Sequence, residues 1–374
     1  MDELIRFRQE LHRNPELSGN ERATAKRIRF FLNRYRPKEL ITGIAGEGMA
    51  AIYHGNEPGP TLLFRCDLDA LPIHEAVRRP YSSTIPGVAH VCGHDGHMTM
   101  VTGLSRCLTE NPIKRGKVIL FYQPEEENGQ GGRKSIARLK ELGLIPDFAF
   151  AIHNLPKYPL GSVVIGEKSF AAASKGIVVK LIGRNSHAAY PEQGVNPSLA
   201  VAEIVQGLNA LSESKEFSDF VLITIIHIRV GEVAFGTSPG YGEIMVTLRA
   251  FADNDMQILS QKTVDLAKNV AHNHGLTIET SLTDDFPATV SNSELKRLVE
   301  KVALEQQRKV EFMAQPNRWS EDFAHFTTAC PAILFGLGVG ENVPELHSPE
   351  YDFPDEALIH GVEIMDGIIS DLLR

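Results

Sequence analysis

At 374 residues the chain is longer than one hydrophobic core usually serves, so two domains are expected. A formal net charge of −9 argues against a nucleic-acid binder, which would carry a basic face. Cys66, Cys92, Cys107 and Cys330 follow no disulfide framework and read as thiols of a reducing compartment. With no secretion signal after Met1 and no apolar run long enough to span a membrane, a soluble cytoplasmic protein is expected.

Leu4, Phe7 and Leu11, then Thr24, Ile28 and Phe31, recur at helical spacing, with Pro15 in the break between them. Short apolar runs follow, each ending in polar residues. Thr61–Phe64 runs into Arg65-Cys66-Asp67-Leu68-Asp69, and Val118–Tyr122 into Gln123-Pro124 and the triplet Glu125-Glu126-Glu127. Phe148–Ile152 runs into His153-Asn154. Apolar strands alternating with helical stretches predict an α/β sheet covered on both faces, with ligands beyond the carboxyl ends of its strands.

The texture changes near Ala171. Ile177–Leu181, Val221–Val230 and Glu243–Phe251 alternate as half-buried strands do, with helical stretches at Pro197–Leu211 and Asp255–Gly275 and a last strand at Thr277–Leu282. That order predicts a small α+β sandwich of ferredoxin-like type. The pattern then returns to helix, a strand at Ala332–Gly336 and a closing helix at Glu356–Leu373. The expected architecture is a discontinuous α/β/α catalytic domain with a mixed sheet, residues 1–170 and 285–374, interrupted by an inserted domain at 171–284.

Cysteine, histidine and carboxylate side chains hold zinc-like ions. Cys92, His94, the Glu125–Glu127 triplet, His153 and His347 exceed what one tetrahedral ion needs, which suggests two ions sharing a bridge. A thiolate such as that of Cys92 can supply one. Each residue also has a plainer reading. A lone buried Cys or strand-end His is usually structural, an acidic triplet is often a solvated loop, and Ser320-Glu321-Asp322 reads as a helix start. Asp67 and Asp69 are ligands, partners that orient a ligand His, or loop caps. The sequence alone does not assign roles within the triplet.

Several motifs occur in one order. They are Arg8-x-x-Leu11-His12-x-x-Pro15-Glu16-Leu17-Ser18, Asp67-Leu68-Asp69-Ala70-Leu71-Pro72, His90-Val91-Cys92-Gly93-His94-Asp95-Gly96-His97 and Gln123-Pro124-Glu125-Glu126-Glu127. Ser186-His187-Ala188-Ala189-x-Pro191, Ser320-Glu321-Asp322-Phe323 and His347-Ser348-Pro349 complete the set. Together they resemble the M20-type metallopeptidase-fold amidohydrolases, in the subfamily of IAA-amino acid hydrolases, N-acyl-amino acid amidohydrolases, hippurate hydrolases and N-acetyldiaminopimelate deacetylases.

The resemblance implies hydrolysis of the amide bond of N-acyl amino acids with two divalent ions, zinc, manganese, cobalt or nickel. It implies Cys92 as their bridge, His94 and His153 on one ion, and Glu127 and His347 on the other. It implies Glu126 as general base, Asp69 as a partner orienting a ligand, and Asn154, Arg249 and Trp319 at the substrate. His187 would reach the active site of a partner subunit in a homodimer made by the inserted domain. The stretch Phe235-Gly236-Thr237-Ser238-Pro239 departs from the family's usual Asn-Val-Ile-Pro, which removes an Asn that helps hold substrate. Trp319 stands where a small residue is usual. The rival readings are a dipeptidase on the same core and a non-catalytic binding protein of the same fold.

Overall fold

The computed structural model describes residues 1–212 and 216–374. In chain order the elements are α1 (Asp2–Arg13), α2 (Arg22–Leu32), β1 (Glu39–Ile44), β2 (Gly48–His54), β3 (Glu57–Asp67), α3 (His94–Glu110), β4 (Arg115–Gln123), α4 (Gly131–Glu141), β5 (Phe148–Pro156) and β6 (Val163–Gly166). There follow β7 (Ala173–Ile182), β8 (Ser186–His187), α5 (Ser198–Ser212), β9 (Val221–Val230), β10 (Thr237–Ser238), β11 (Tyr241–Ala250), α6 (Asp253–Asn273) and β12 (Thr277–Phe286). The chain ends with α7 (Ser293–Glu305), β13 (Val310–Met313), α8 (Ala324–Ala329), β14 (Ala332–Gly340) and α9 (Ala357–Leu373). No helix of the described residues is long and apolar enough to cross a membrane.

The chain divides into two compact units, one of Met1–Phe170, Thr289–Gln315 and Glu321–Arg374, the other of Ala171–Ala288 and Pro316–Ser320. The insertion therefore ends four residues later than the sequence suggests, at Ala288 rather than 284. A second excursion, Pro316–Ser320, also joins it. That stretch is drawn there by backbone bonds, because Ala172 N–H donates to the carbonyls of Asn317 and Trp319.

The first unit holds an eight-stranded sheet in the order β1-β2-β4-β3-β5-β14-β6-β13. Its central strands β4, β3, β5 and β14 are parallel. Strands covered on both faces are apolar at every position rather than at alternate ones. Val118–Tyr122 shows this: Val118, Leu120 and Tyr122 join the core beneath α1, α2 and α3, while Phe121 packs toward Phe326 of α8 on the opposite face. Phe64 and Phe150 stack across neighbouring strands, their ring centres 5.1 Å apart.

The second unit is a four-stranded antiparallel sheet, β12-β7-β11-β9, with α5 and α6 packed on one face. β11 alternates strictly, and Ile244, Val246, Leu248 and Ala250 point into a core shared with Ile204, Leu208, Leu259 and Val270. β9 is an edge strand, and it leaves Ile226 and Ile228 exposed.

One buried charge network fixes the N-terminal helix of the first unit. Arg8, fully buried, donates from Nε to Asp355 at 2.8 Å, and from Nη1 to Asp95 at 3.1 Å and Asp352 at 2.9 Å. His12 donates from Nδ1 to Asp95 at 2.8 Å, and its Nε2 lies 3.4 Å from Glu75. Burial alone would lower the pKa of His12, but the bonds to Asp95 and Glu75 outweigh it and push the imidazole up to about 9. A group raised on folding stabilises fully below its unfolded pKa near 6.5 and loses that contribution as pH rises through the folded value. Urea unfolding of wild type between pH 6.5 and 9 should therefore show a loss of about 2–3 kcal/mol that His12→Gln lacks. Parallel pH profiles for the two proteins would refute a charged His12.

Candidate metal centre

The parallel strands bring their carboxyl ends to one side of the sheet. Asp67 ends β3, Gln123 ends β4 ahead of the glutamate triplet, and His153 lies near the end of β5. His347 follows β14 on a loop where its backbone N–H donates to Val91 O at 2.8 Å and its own φ is +64°. Gly93 caps α3 with φ +94°, and a Cβ there would lie 2.7 Å from Asn154 Oδ1, so only glycine fits. This turn puts Cys92 just before the helix and His94 at its start. Gly96, three residues after Gly93, lies within the first turn of the helix. It is small because the Phe353 ring would lie 2.3 Å from its Cβ.

The five expected ligands come together. Cys92 Sγ belongs to two sets of donors, one with His94 and His153 and the other with Glu127 and His347, each set having its atoms within 4.8 Å of one another. Cys92 Sγ is 3.7 Å from His153 Nε2, and Glu127 Oε1 is 3.7 Å from both His347 Nε2 and His94 Nε2. Two ligands on one tetrahedral zinc-like ion lie about 3.4 Å apart for an N/O pair and about 3.6 Å for an S/N pair. The Cys92–His153 and Glu127–His347 spacings are thus those of donors around a shared cation, while the Glu127–His94 approach brings the two sets side by side. His94 Nε2 and Glu127 Oε1 are buried with no hydrogen-bond partner among the described residues, a costly arrangement that a cation would relieve. The donor set fits a zinc-like metal.

The ligand rings are oriented from behind. His94 Nδ1–H donates to the Asp69 carbonyl at 2.9 Å and His153 Nδ1–H to the Asn154 carbonyl at 3.0 Å, which makes Nε2 the basic nitrogen of both rings. The Asp69 carboxylate accepts from Ser18 Oγ at 2.7 Å and from the Glu127 backbone N–H at 2.9 Å, so it also sets the bend of the triplet. Asp67 accepts from His97 Nδ1 at 2.8 Å and lies 3.7 Å from His94 Nε2. Asn154, expected at the substrate, is fully buried. Its amide oxygen meets His97 Nε2 and its Nδ2 donates to Tyr351 Oη, so the residue holds His97 instead.

Glu126 faces two ways: it groups with His94 and Glu127, its Oε2 lying 3.9 Å from His94 Nε2, and it also clusters with Glu321 and Asp322, all three of these carboxylates buried. Arg65 serves that cluster: it donates to Asp322 at 2.6 Å, Asp67 at 2.8 Å and Gln123 Oε1 at 3.1 Å, and pairs with Glu321 at 3.0 Å. Gln123 Nε2 and the Gly132 N–H also donate to Asp322. Burial, then the charges of Glu321 and Glu127, push the Glu126 carboxyl well above its usual range. Burial raises Glu127 to about 7, despite His94 beside it. Burial and Glu127 likewise push the Cys92 thiol up. The polypeptide's own cations do not neutralise these groups. Glu125, the third glutamate, is bent away at φ +58° and pairs with Lys134 at 2.7 Å.

His187, Arg249 and Trp319 belong to the second unit. His187 is exposed on the ladder of β8 with β10, where it pairs with Thr237. Its Nδ1 accepts from the Ala189 N–H at 3.0 Å, which leaves Nε2 as the donor nitrogen. The segment that departs from the family pattern is thus the strand that supports His187: Ala188 N–H also donates to Gly236 O at 3.0 Å. Arg249 donates from Nη1 to Arg318 O at 2.8 Å and Ser320 Oγ at 3.1 Å, so it sits on the stretch that contains Trp319. Burial lowers its pKa and, among the described residues, no carboxylate lies within ion-pair distance of it.

Arg65, Gln123, Glu321 and Asp322 carry the site's charge balance, a role the sequence does not single out. The one available signal is an arginine inside an apolar strand, which is buried only when paired.

The family model described as peptidase family M20/M25/M40 matches residues 63–371. The chain is 29% identical to an N-acetyldiaminopimelate deacetylase of Lactobacillus helveticus (strain DPC 4571) over 98% of this chain and 97% of that protein. It is 32% identical to IAA-amino acid hydrolase ILR1-like 2 of Arabidopsis thaliana, over 100% of this chain and 86% of that protein. Among solved structures, the YXEP protein of Bacillus subtilis, described as a dinuclear metal binding peptidase from the M20 family, superposes with a TM-score of 0.85 at 25% identity, covering 100% of this chain and 98% of that one. The chain belongs to peptidase family M20/M25/M40 and is a hydrolase acting on amides.

Proposed function

We propose that the protein is a two-metal amidohydrolase that removes the acyl group from an N-acylated amino acid or a close relative. The observation that carries this reading is the Cys92 sulfur standing in two donor sets at once. His94 and His153 would hold one ion, Glu127 and His347 the other, and Cys92 both. When bound, such ions supply Lewis acidity and lower the pKa of water towards ~7.

The chain's own residues supply the rest. Glu126 donates no ligand atom to either of those two sets; buried beside Glu321 and Asp322, it accepts a proton from water and returns it to the leaving nitrogen. His187 Nε2–H donates to the oxyanion of the tetrahedral intermediate. Arg249, without a carboxylate of its own, receives the substrate's carboxylate, and Trp319 on the adjoining stretch shapes the pocket. The chain pairs as a homodimer through the inserted unit, whose edge strand β9 exposes Ile226 and Ile228. A turnover screen of N-acyl amino acids against free dipeptides, with zinc, manganese, cobalt and nickel each added to metal-free protein, tests this function. Faster cleavage of free dipeptides would favour a peptidase.

The triplet assignment gives a sharp pair of outcomes. Glu126→Gln should lower kcat about 10³-fold with metal content unchanged, whereas Glu127→Ala should lose one equivalent of metal by elemental analysis after reconstitution. If the two phenotypes are exchanged, the roles of these neighbours are reversed.

A shared active site is tested by subunit exchange. Two inactive homodimers, His187→Ala and Glu126→Ala, are mixed and allowed to exchange. Half the dimers then carry one intact site, and activity should recover to about a quarter of wild type. No recovery, with exchange verified by mass, would mean that His187 acts within its own chain or not at all.

A further inference from the structure

The basic residues of this acidic protein are not evenly spread. From Arg22 to Lys38 there are Arg22, Lys26, Arg27, Arg29, Arg34, Arg36 and Lys38, with no Asp or Glu among them. Most of this run is α2, which is amphipathic: Ala25, Ile28, Phe31 and Leu32 are buried, and the outer face is what remains. Residues three and four apart share a helix face, so Arg22, Lys26 and Arg29 form a stripe about 10 Å long. All three are exposed. Among the described residues none of them has a carboxylate within ion-pair distance, in contrast to Arg27, which reaches Glu10 at 3.6 Å, and Arg34, which pairs with Glu3.

The stripe is not a flat surface. Arg22, Lys26 and Arg29 line a cavity of about 570 Å³ whose far wall is the turn between β1 and β2, with Thr42, Gly43 and Gly46. Glu47 is the lone carboxylate among the described lining residues. On the other side of Lys26 lies a second hollow of about 660 Å³, lined by Phe7, Phe30 and Phe31, by Arg6, Lys26, Arg27 and Arg34, and by the carboxylates Glu3 and Glu10, which are engaged by Arg34 and Arg27. Phe30 is 75% exposed although it is a large aromatic on a helix with an ample core face. Lys26 thus lines both a cationic hollow and one of mixed charge with aromatic walls, each of the size that small ligands occupy.

We propose that this face of α2 binds a nucleotide: a nucleoside di- or triphosphate, its phosphates along Arg22, Lys26 and Arg29 and its base against Phe30. Unpaired guanidinium and ammonium groups in a row match linked phosphates, each contact a charge-assisted bond. An exposed aromatic face stacks a base regardless of its identity. A polymeric nucleic acid is the poorer match, because a net charge of −9 repels a polyanion that extends beyond the stripe. None of these residues belongs to the metal centre or to the substrate side of the second unit.

Isothermal titration of the full-length protein at physiological ionic strength, with ATP, inorganic tripolyphosphate, adenosine and a short oligonucleotide, tests the site. ATP should bind, tripolyphosphate should bind about tenfold more weakly, and adenosine should not bind measurably. Arg22→Gln/Lys26→Gln/Arg29→Gln should weaken ATP at least tenfold, and Phe30→Ala should weaken ATP but not tripolyphosphate. All these positions are exposed, and an unchanged melting temperature verifies that the variants fold. Turnover of the amide substrate should be unchanged in them. ATP binding that survives the triple substitution would place the anion elsewhere, including at the metal centre, and overturn the proposal. So would equal affinity for ATP and tripolyphosphate, no ATP binding at all, or binding of the oligonucleotide alone.

Discussion

The candidate site depends on one buried guanidinium. Arg65 stands on β3 almost wholly out of water, where an unpaired cation would be prohibitively costly. It is tolerated because Asp67, Glu321 and Asp322 surround it, and they are tolerated because it is there. The arrangement joins three parts of the chain that are distant in sequence: the end of β3, the end of β4 through Gln123, and the stretch before α8. It also falls short of neutrality. Asp67, Asp69, Glu126, Glu127, Glu321 and Asp322 face one fixed cation and the imidazoles between them, and Glu126, Glu127 and Asp322 carry raised pKa values. The excess negative charge is concentrated where Cys92, His94, His153 and His347 converge, which is the electrostatic condition for holding cations.

The first turn of α3 shows how rigidly the polypeptide prepares this region. His94 is fixed by the Asp69 carbonyl, Asp95 by Arg8 and His12, Gly96 by contact with the Phe353 ring, and His97 by Asp67 and Asn154. Four consecutive residues are each held by a different part of the first unit. Ligands mounted on such a turn keep their geometry through packing and hydrogen bonds. Arg8 and Arg65 therefore play parallel parts, each a buried cation that lets carboxylates sit close to a ligand histidine.

The sequence announces the strands that are apolar at every position and the residues at their ends, because burial on both faces leaves no room for polar side chains. It also announces the alternating strands of the inserted unit. It does not announce the β1–β2 hairpin, whose residues 39–54 mix Thr, Gly and Glu with apolar positions, nor the helical start at His94, which Gly93 and Gly96 flank and which no capping side chain marks. The grouping of Cys92 with His153 and His347 is expected by resemblance; spacing alone cannot bring together residues separated by scores of positions. Asn154 is expected at the substrate by resemblance, but it directly follows His153, and successive residues of a strand face opposite ways. The excursion of Pro316–Ser320 leaves no compositional mark, since it is held by backbone carbonyls, which every residue has.

The parallel pairing of β5 with β14 has a kinetic side. His153 and Gly336 are register partners, yet the whole run Ala171–Ala288 lies between them in sequence. On a ribosome that run is available as a nearly complete folding unit before β14 has been made, while the main sheet must wait with β5 unpaired on one edge. Closure over so large a separation is slow, and the waiting edge is open to mispairing. Cys92, His94 and His153 can meet early, but His347 arrives after β14. The thiol shared by both donor sets therefore spends the start of its life with only one of them, and capture of an ion by the first set would stabilise the incomplete sheet while the rest of the chain emerges.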